Sequence, residues 1–143
     1  MAPNWCSLVK LSDQQAANLI HKDSIDILID MSGHTGMHRL GIFTFQAAPI
    51  QMTWLGYPNT TGLSTIQYRI TDEISDPQGK TEQNYSEELI RLDDGFLCYQ
   101  GNTELTVKQT TPSEENGFIT FGSFNNLRKV GSEVIEAWAN ILK

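Results

Sequence analysis

Residues 54–72, WLGYPNTTGLSTIQYRITD, constrain the fold of this chain more than any other segment. An apolar run ends at Gly56, a polar loop continues to Gly62, and a second run rich in β-branched residues ends at Asp72. This order predicts a strand, a loop and another strand. The two glycines allow positive φ or a close backbone approach, and the small hydroxylated side chains between them suit a loop that holds a ligand.

The rest of the first hundred residues alternates between helical and strand patterns. Ser12 is predicted to cap a helix that runs to about Lys22, with Gln15 as its capping-box partner. The apolar, β-branched run over 25–31 predicts a strand covered on both faces, as in a parallel sheet. The other predicted elements are a helix over 37–45, strands over 50–55 and 68–71, and a turn at 76–79.

The pattern changes after Leu92, where polar residues dominate and residues 101–117 are interpreted as a linker. A strand is predicted over 118–121 and a loop over 122–130. A helix that opens at Ser132 is predicted to carry one apolar stripe, made of Val134, Ile135, Trp138, Ile141 and Leu142. The succession of elements predicts an α/β fold.

Composition and charge exclude several classes of protein. The 143 residues are 39% apolar and 19% charged, which suits an ordinary globular domain, and the net charge of −7 without a stripe of Lys or Arg argues against nucleic-acid binding. The start of the chain lacks the blocks of a signal peptide, and no window reaches the roughly 20 apolar residues that span a bilayer. We therefore expect an intracellular protein without a membrane partner.

The cysteines point to no metal centre. Cys6 and Cys98 are far apart, with no CxxC pattern and no neighbouring histidine pair. We expect two reduced thiols, with neither a zinc site nor a disulfide framework.

Three polar turns follow the ends of predicted strands. They are residues 32–36, residues 56–62, and residues 122–126 with Lys129 close behind. Because ligands of open α/β sheets lie outside the carboxyl ends of the strands, we expect these turns to line a shared cleft.

The side chains of these turns also have structural interpretations. His34 could equally cap the helix that follows, and Trp54 and Tyr57 are typical packing residues. Lys129 could be an ordinary surface cation, while His21 and His38 are assigned to solvated helix faces. These alternatives stay open.

The carboxylates and short motifs do not identify a reaction. Asp30 and Asp72 end predicted strands and could act as acid or base, but such carboxylates more often cap the next turn. No P-loop, GxGxxG, HExxH or GxSxG motif is present in the sequence. The residues alone indicate a polar cleft of about the size of a sugar nucleotide.

Several segments, taken in chain order, match one known family. They are DILIDMSGHTG (26–36), AAPIQMTWLGYPNTTGLSTIQYRITD (47–72), the pair Asp76 and Pro77, the ELIRL and GFLCY stretches, and ITFGSFNNLRKV (119–130). In this order, over most of residues 24–142, they resemble the SPINDLY and O-GlcNAc transferase family of protein O-glycosyltransferases.

That resemblance implies a GT-B architecture, in which two Rossmann-like domains face a cleft, usually after tetratricopeptide repeats. Residues 1–100 would form the C-terminal part of the first, N-catalytic domain. Residues 101–117 would be the linker, and residues 118–143 would open the second, C-catalytic domain with its first β-α unit.

The resemblance also carries over a set of site residues. Gly33, His34 and Thr35 correspond to a loop beside the donor sugar and the acceptor peptide. The other positions are Leu55, Gly56, Tyr57, Pro58 and Asn125 in the same cleft, Asn126 and Lys129 at the donor nucleotide, and Arg39, with a structural or an acceptor-side role. Lys129 would neutralise charge on the leaving diphosphate, and amides of the glycine turns would bind its oxygens, so no metal is required.

The implied reaction is attack of a Ser or Thr hydroxyl on the anomeric carbon of a nucleotide sugar, with inversion. The donor would be UDP-GlcNAc in one branch of the family or GDP-fucose in the SPINDLY branch. No cofactor is implied. The implied partners are protein acceptors and the nucleotide sugar, in the cytoplasm and also in the nucleus.

Two family elements fall outside the 143 residues: an acceptor-side catalytic histidine, upstream, and a second donor-binding loop, downstream. We therefore expect these residues alone to be inactive and only partly stable. The alternative from another class is a non-catalytic Rossmann-like binding or interaction module.

Overall fold

The computed structural model describes residues 4–106 and 108–143. The chain divides into two compact units, Met1–Tyr99 and Gln100–Lys143. No helix among the described residues is long and apolar enough to cross a membrane.

The first unit is built on a parallel sheet of four strands. The strands are β1 (Ile27–Asp30), β2 (Ile50–Thr53), β3 (Tyr68–Asp72) and β4 (Glu88–Leu92), and they lie side by side in chain order. Asp30 pairs with Thr53, Thr53 with Arg69, and Asp72 with Leu92, all in parallel register. The α/β fold with a parallel sheet is thereby confirmed, and all four carboxyl ends lie at one edge.

Helix α1 (Asp13–Lys22) begins where the sequence predicts it. Ser12 is the N-cap, its hydroxyl accepts from the Gln15 amide at 3.2 Å, and the Gln15 side chain accepts from the Ser12 amide at 2.9 Å. The capping box is confirmed because both orphan amides find a partner.

Helix α2 (Leu40–Phe43) is shorter than the predicted helix over 37–45. Met37 has a φ of +64° and is 99% exposed, so it cannot belong to an apolar helical face. The His38 amide donates to the Thr35 carbonyl at 3.2 Å, and this closed turn delays the start of the helix. The prediction was wrong here because the apolar spacing hid a turn.

The core lies between the two helices and the sheet. Its buried members are Ala16, Ala17, Leu40, Ile42, Phe43, Ala47 and Ile66, with Leu8, Leu11, Ile20, Leu28 and Leu63 packed against them. Buried Gln51 fastens this region, because its side-chain amide donates to the carbonyls of Phe43 and Thr65 at 2.9 and 2.7 Å. Its oxygen also accepts from the Ala47 amide at 3.1 Å.

The prediction that the first strand is covered on both faces was wrong for the described residues. Leu28 packs into the core, but Ile27 and Ile29 on the other face of β1 remain 51% and 40% exposed. In a strand, neighbouring side chains point to opposite faces, and α1 and α2 cover only the face of Leu28. One face of this edge strand is therefore open.

Strand β4 was not predicted from the sequence pattern. Its side chains alternate between half-buried Leu89 and Arg91 and exposed Glu88, Ile90 and Leu92. Only Leu89 of the two inward positions is apolar, so the alternation of polarity that marks a half-buried strand is missing.

The second unit contains α3 (Pro112–Asn116), a 3₁₀ turn at Leu127–Lys129, and α4 (Ser132–Ile141). Helix α4 was predicted, whereas α3 lies unpredicted inside the 101–117 segment, capped by Thr111. Residues 118–121 are not in a strand, which corrects that prediction. A strand needs a neighbour for its backbone hydrogen bonds, and residues 108–143 contain none.

Candidate functional site

Two of the three polar turns meet at the carboxyl edge of the sheet. The turn after β1 carries Gly33, His34 and Thr35, and the loop after β2 carries Leu55, Gly56, Tyr57 and Pro58. The third turn, residues 122–126, belongs to the second unit and is described separately.

Asp30 caps the first turn through hydrogen bonds from backbone amides. The Asp30 carboxylate, which is buried at the end of β1, accepts from the amides of Ser32 and Gly33 at 3.2 and 2.8 Å. The Thr53 hydroxyl, at the end of β2, donates to the same carboxylate at 2.7 Å. Asp30 is therefore the cap of its turn, the structural alternative that the sequence left open.

The two turns touch through their glycines. A Cβ added at Gly33 would overlap Cβ of Tyr57, and a Cβ added at Gly56 would overlap the main-chain carbonyl oxygen of Met31. Gly33 and Gly62 also have positive φ, at +53° and +71°. The expectation that the loop glycines allow close approach or positive φ is confirmed.

Glu87, buried just before β4, holds the middle of the loop. Its carboxylate accepts from the Thr60 hydroxyl at 2.7 Å, from the Thr61 amide at 2.8 Å, and from the Thr61 hydroxyl. Burial alone would raise the pKa of Glu87, but the hydrogen bonds from Thr61 and Thr60 together outweigh it and leave the pKa lowered. Glu87 is thus held as a carboxylate.

Arg69 binds the loop at Asn59, and Trp54 anchors the chain just before the loop. The buried Arg69 side chain donates to the Asn59 carbonyl at 3.0 Å, and its guanidinium lies over the Tyr85 ring, 5.4 Å from the ring centre. The Trp54 indole donates to the Phe96 carbonyl at 2.8 Å. Trp54 is therefore a packing and anchoring residue.

Asp72 caps the turn after β3. Its carboxylate accepts from the amides of Ile74, Ser75 and Phe96 at 3.1, 2.7 and 3.0 Å. The hydrogen bond from the Ser75 amide, and next the one from Phe96, lower the pKa of Asp72 below its ordinary value. Like the Asp30 carboxylate, the Asp72 carboxylate accepts hydrogen bonds from backbone amides.

His34 lies between the turns. Its Nε2 is 2.9 Å from the Thr61 carbonyl oxygen, and its ring stands edge-on to the rings of Tyr57 and His38 at 5.3 and 5.7 Å between centres. It does not cap α2: the first amide of that helix, that of Leu40, donates instead to Nδ1 of His38 at 3.4 Å.

Thr35 and Leu55 have local roles. The Thr35 hydroxyl donates to the Ser32 carbonyl at 2.8 Å, which stabilises the first turn. Leu55 has a φ of +69°, an uncommon value for a side chain of its size, and Tyr57 is half-buried while Pro58 is exposed.

Arg39 is turned towards α1. Its guanidinium donates to Asp13 at 2.7 Å and to the carbonyls of Leu8 and Leu11, both at 3.0 Å. These contacts favour the structural role over the acceptor-side role.

In the second unit, the residues predicted to contact the donor nucleotide are exposed. The Asn126 side chain accepts from the Arg128 amide at 3.1 Å and so caps the 3₁₀ turn that contains Lys129. Asn125 borders an open groove of about 660 Å³. That groove is lined mainly by apolar side chains such as Phe118, Phe121 and Trp138.

Among the described residues, no side chains cluster as metal ligands and no cysteines pair. They contain no group of three or more His, Cys, Asp or Glu side chains that could hold a metal ion. Cys6 and Cys98 are free and exposed.

Glu87 and Arg69 were missed by the sequence analysis. Arg69 has a weak signal, because a charged residue inside the YRITD run predicts a buried partner. Glu87 has none, since one acidic residue in the pair Glu87 and Glu88 cannot be distinguished from the other.

Sequence comparison decides the family. Residues 3–110 match the profile of glycosyl transferase family 41. The chain belongs to this family. The GT-B fold expected from the resemblance is confirmed by the close structural match to an O-GlcNAc transferase.

A lysine-to-methionine mutant of the O-GlcNAc transferase of Thermobaculum terrenum superposes with a TM-score of 0.83 and 38% identity, over 98% of this chain and 26% of that one. The probable UDP-N-acetylglucosamine–peptide N-acetylglucosaminyltransferase SPINDLY of Oryza sativa is 49% identical over 138 residues. The SEC protein of Arabidopsis thaliana, with the same enzyme description, is 35% identical. The SPINDLY match includes 96% of this chain and the SEC match 99% of it. In both cases the chain spans only 15% of the relative's length.

Proposed function

We propose that this chain forms part of a protein O-glycosyltransferase that moves a sugar from a nucleotide donor to Ser or Thr of a protein. The observation that carries the proposal is the meeting of the two glycine turns at the carboxyl edge of a parallel sheet in a family 41 chain. That edge is where α/β sheets bind ligands.

The turns supply backbone rather than nucleophiles. Asp30, Glu87 and Asp72 accept hydrogen bonds from the loops and are not free to act as bases. A direct transfer needs positioning and leaving-group stabilisation more than a covalent intermediate, which agrees with this arrangement. The loop residues Gly33, His34, Thr35, Leu55, Gly56, Tyr57 and Pro58 would line the donor and acceptor cleft.

The resemblance to the family makes Lys129, Asn125 and Asn126 the proposed contacts of the donor nucleotide. An ammonium group near the leaving diphosphate would neutralise its growing charge, so Lys129 is the proposed catalytic residue. This proposal assigns residues 1–100 to the first catalytic domain, residues 101–117 to the linker and residues 118–143 to the second catalytic domain.

Two donors are compatible with the relatives. The names of the SPINDLY and SEC relatives specify UDP-N-acetylglucosamine, and the resemblance to SPINDLY adds GDP-fucose. The acceptors would be proteins, the reaction would take place in the cytoplasm and nucleus, and no cofactor or metal would be required.

Calorimetric titration of the complete protein that carries these residues, with UDP-GlcNAc and with GDP-fucose, identifies the donor. We expect one of the two to bind and to release its diphosphate when a Ser/Thr peptide is added. Binding without transfer would favour the non-catalytic module, and binding of neither would refute the proposal.

The 143 residues alone are expected to release no diphosphate. They span 15% of the length of their plant relatives, and most apolar side chains of the second unit are exposed, Phe124 and Leu127 among them. Steady turnover by the purified 143-residue chain would contradict this expectation.

A further inference from the structure

The hydrogen bond between His34 and Thr61 fixes the chemistry of the imidazole. Nε2 of His34 lies 2.9 Å from the Thr61 carbonyl oxygen, which can only accept. Nε2 must therefore carry the proton. In the neutral ring, Nδ1 then carries the free lone pair.

Nδ1 has no hydrogen-bond partner among the residues that the structure describes. His34 is an exposed residue, and the rings of Tyr57 and His38 stand at steep angles to its ring, with centres 5.3 and 5.7 Å away. An acceptor atom without a hydrogen-bond partner among the described residues thus lies at the carboxyl edge of the sheet, where the two glycine turns meet.

The carbonyl that orients His34 is itself fixed. Thr61 is buried, and both its amide and its hydroxyl donate to the Glu87 carboxylate. The neighbouring Thr60 hydroxyl donates to the same carboxylate at 2.7 Å. Glu87 thus determines the position of Thr61, and Thr61 determines the orientation of the imidazole.

We propose that His34 accepts, through Nδ1, a hydrogen bond from a hydroxyl group of a bound substrate, and that Glu87 is the positioning residue for this contact. The inference rests on the proposed function, because the hydroxyl belongs either to the donor sugar or to the acceptor Ser or Thr. His34 then contributes to specificity, because the substrate must present a hydroxyl group that donates a hydrogen bond to Nδ1.

A purely structural His34 would act only through Nε2, whereas the proposed contact needs Nδ1. Two variants separate these roles. His34→Gln places an amide where Nε2 lies and can keep the bond to Thr61, whereas His34→Asn places an amide where Nδ1 lies and can keep the acceptor. We expect kcat/KM of the complete protein to fall about tenfold in H34Q and clearly less in H34N, since one hydrogen bond is lost in the former. Equal activities, or the reverse order, would overturn the proposal.

The ¹⁵N spectrum of His34 in the wild-type protein provides a test that needs no variant. We expect Nδ1 to resonate as an unprotonated nitrogen and Nε2 as a protonated one, and the Nδ1 signal to shift when substrate is added. A protonated Nδ1, or a signal that substrate leaves unchanged, would contradict the proposed contact.

Glu87→Gln tests the positioning role, with Glu88→Gln as the matched control, because Glu88 is the exposed neighbour. We expect E87Q to raise the population of the other His34 tautomer and to lower kcat/KM several-fold, with E88Q unchanged in both. Activity lost in E87Q while the tautomer stays fixed would assign Glu87 a merely structural role.

Separate titrations distinguish the source of the hydroxyl. Weaker binding of the nucleotide sugar in H34Q would assign a sugar hydroxyl, and unchanged donor binding with a raised KM for the peptide would assign the acceptor hydroxyl. If the wild-type protein transfers no sugar at all, the proposed function fails; if it does and H34Q equals wild type, only the inference about His34 fails.

Discussion

The first and second units each place a glycine-containing loop after an apolar segment, but they hold those loops in different ways. In the first unit, buried Asp30 and Glu87 bind loop amides and hydroxyls, and Glu87 reaches 26 positions back along the chain to Thr61. In the second unit, the loop at 122–130 is held by short-range contacts such as Ser123 with Asn125 and Asn126 with Arg128.

The difference shows which contacts fix the geometry of the loops. Long-range polar contacts in a buried setting fix the turns of the first unit to the ends of its strands. In the second unit, nearly all described side chains are exposed, and α4 keeps its apolar stripe in contact with solvent, with Ile135 57% exposed. Variants that remove one contact at a time in each unit can break or sharpen this contrast.

The largest effect on stability is expected from Gly56→Ala. The new methyl group would overlap the Met31 carbonyl oxygen, so the two turns that follow β1 and β2 must move apart, at a cost of about 3 kcal/mol. Hydrogen exchange of the β2 and β3 amides measures the free energy of unfolding. Gly122→Ala is the matched control, because a Cβ there meets no atom within 4 Å. Similar losses in both variants would refute the contrast.

Asp30→Asn is expected to follow, at about 2 kcal/mol. The amide group turns a donor towards Ser32, Gly33 or Thr53, all of which need an acceptor. Asp26→Asn, at an exposed position just before β1, should leave the same exchange rates unchanged. A stable D30N variant with an intact first turn would show that Asp30 is dispensable as a cap.

The helix caps should give a smaller effect. Ser12→Ala removes half of the capping box of α1 and should cost about 1 kcal/mol. Helix α4 has Gly131 as its N-cap, without a side-chain hydrogen bond, so Gly131→Ser should stabilise it by a few tenths of a kcal/mol. Helical content against temperature measures both, and a loss of helix in G131S would run against the expectation.

The smallest effect should be confined to acid. The pKa of Asp72 is lowered in the folded protein, so its ionised form favours folding above its ordinary pKa, and this contribution disappears as the pH falls through the lowered value. The amide shifts of Ser75 and Phe96 should titrate together, with a midpoint below the ordinary pKa of an aspartate. Protonation of Glu114 should disturb only α3, because its partner is Thr111. A Phe96 midpoint at or above the ordinary value would contradict the assignment.

Local patterns were sufficient to predict much of this molecule. Periodicity, the Ser12 capping box and the positions of Gly56 and Gly62 correctly indicated a parallel α/β unit with glycine turns after its strands. Patterns failed where the outcome depended on distant partners. Ile27 lies on a face that no described element covers, and residues 118–121 pair with no strand among the residues that the structure describes.

The candidate site could be predicted only in part. Gly33 and Gly56 meet as expected, whereas the partner of Thr61 is an acidic residue indistinguishable from its neighbour in sequence. Arg39 was carried over from the family to the cleft, but its contact with Asp13 depends on the packing of α1 against α2, which no local pattern encodes.

The central claim is that this chain contributes to a site of nucleotide-sugar transfer, and transfer by the Lys129→Met variant of the complete protein tests it most directly. Sugar addition to a Ser/Thr peptide would be followed by mass spectrometry, with the neighbouring Arg128→Met as control. We expect transfer by the wild type and by R128M, and a fall in kcat of about 10²- to 10³-fold in K129M, because leaving-group charge goes unneutralised. No transfer by the wild type, or equal transfer by K129M and R128M, would contradict the account.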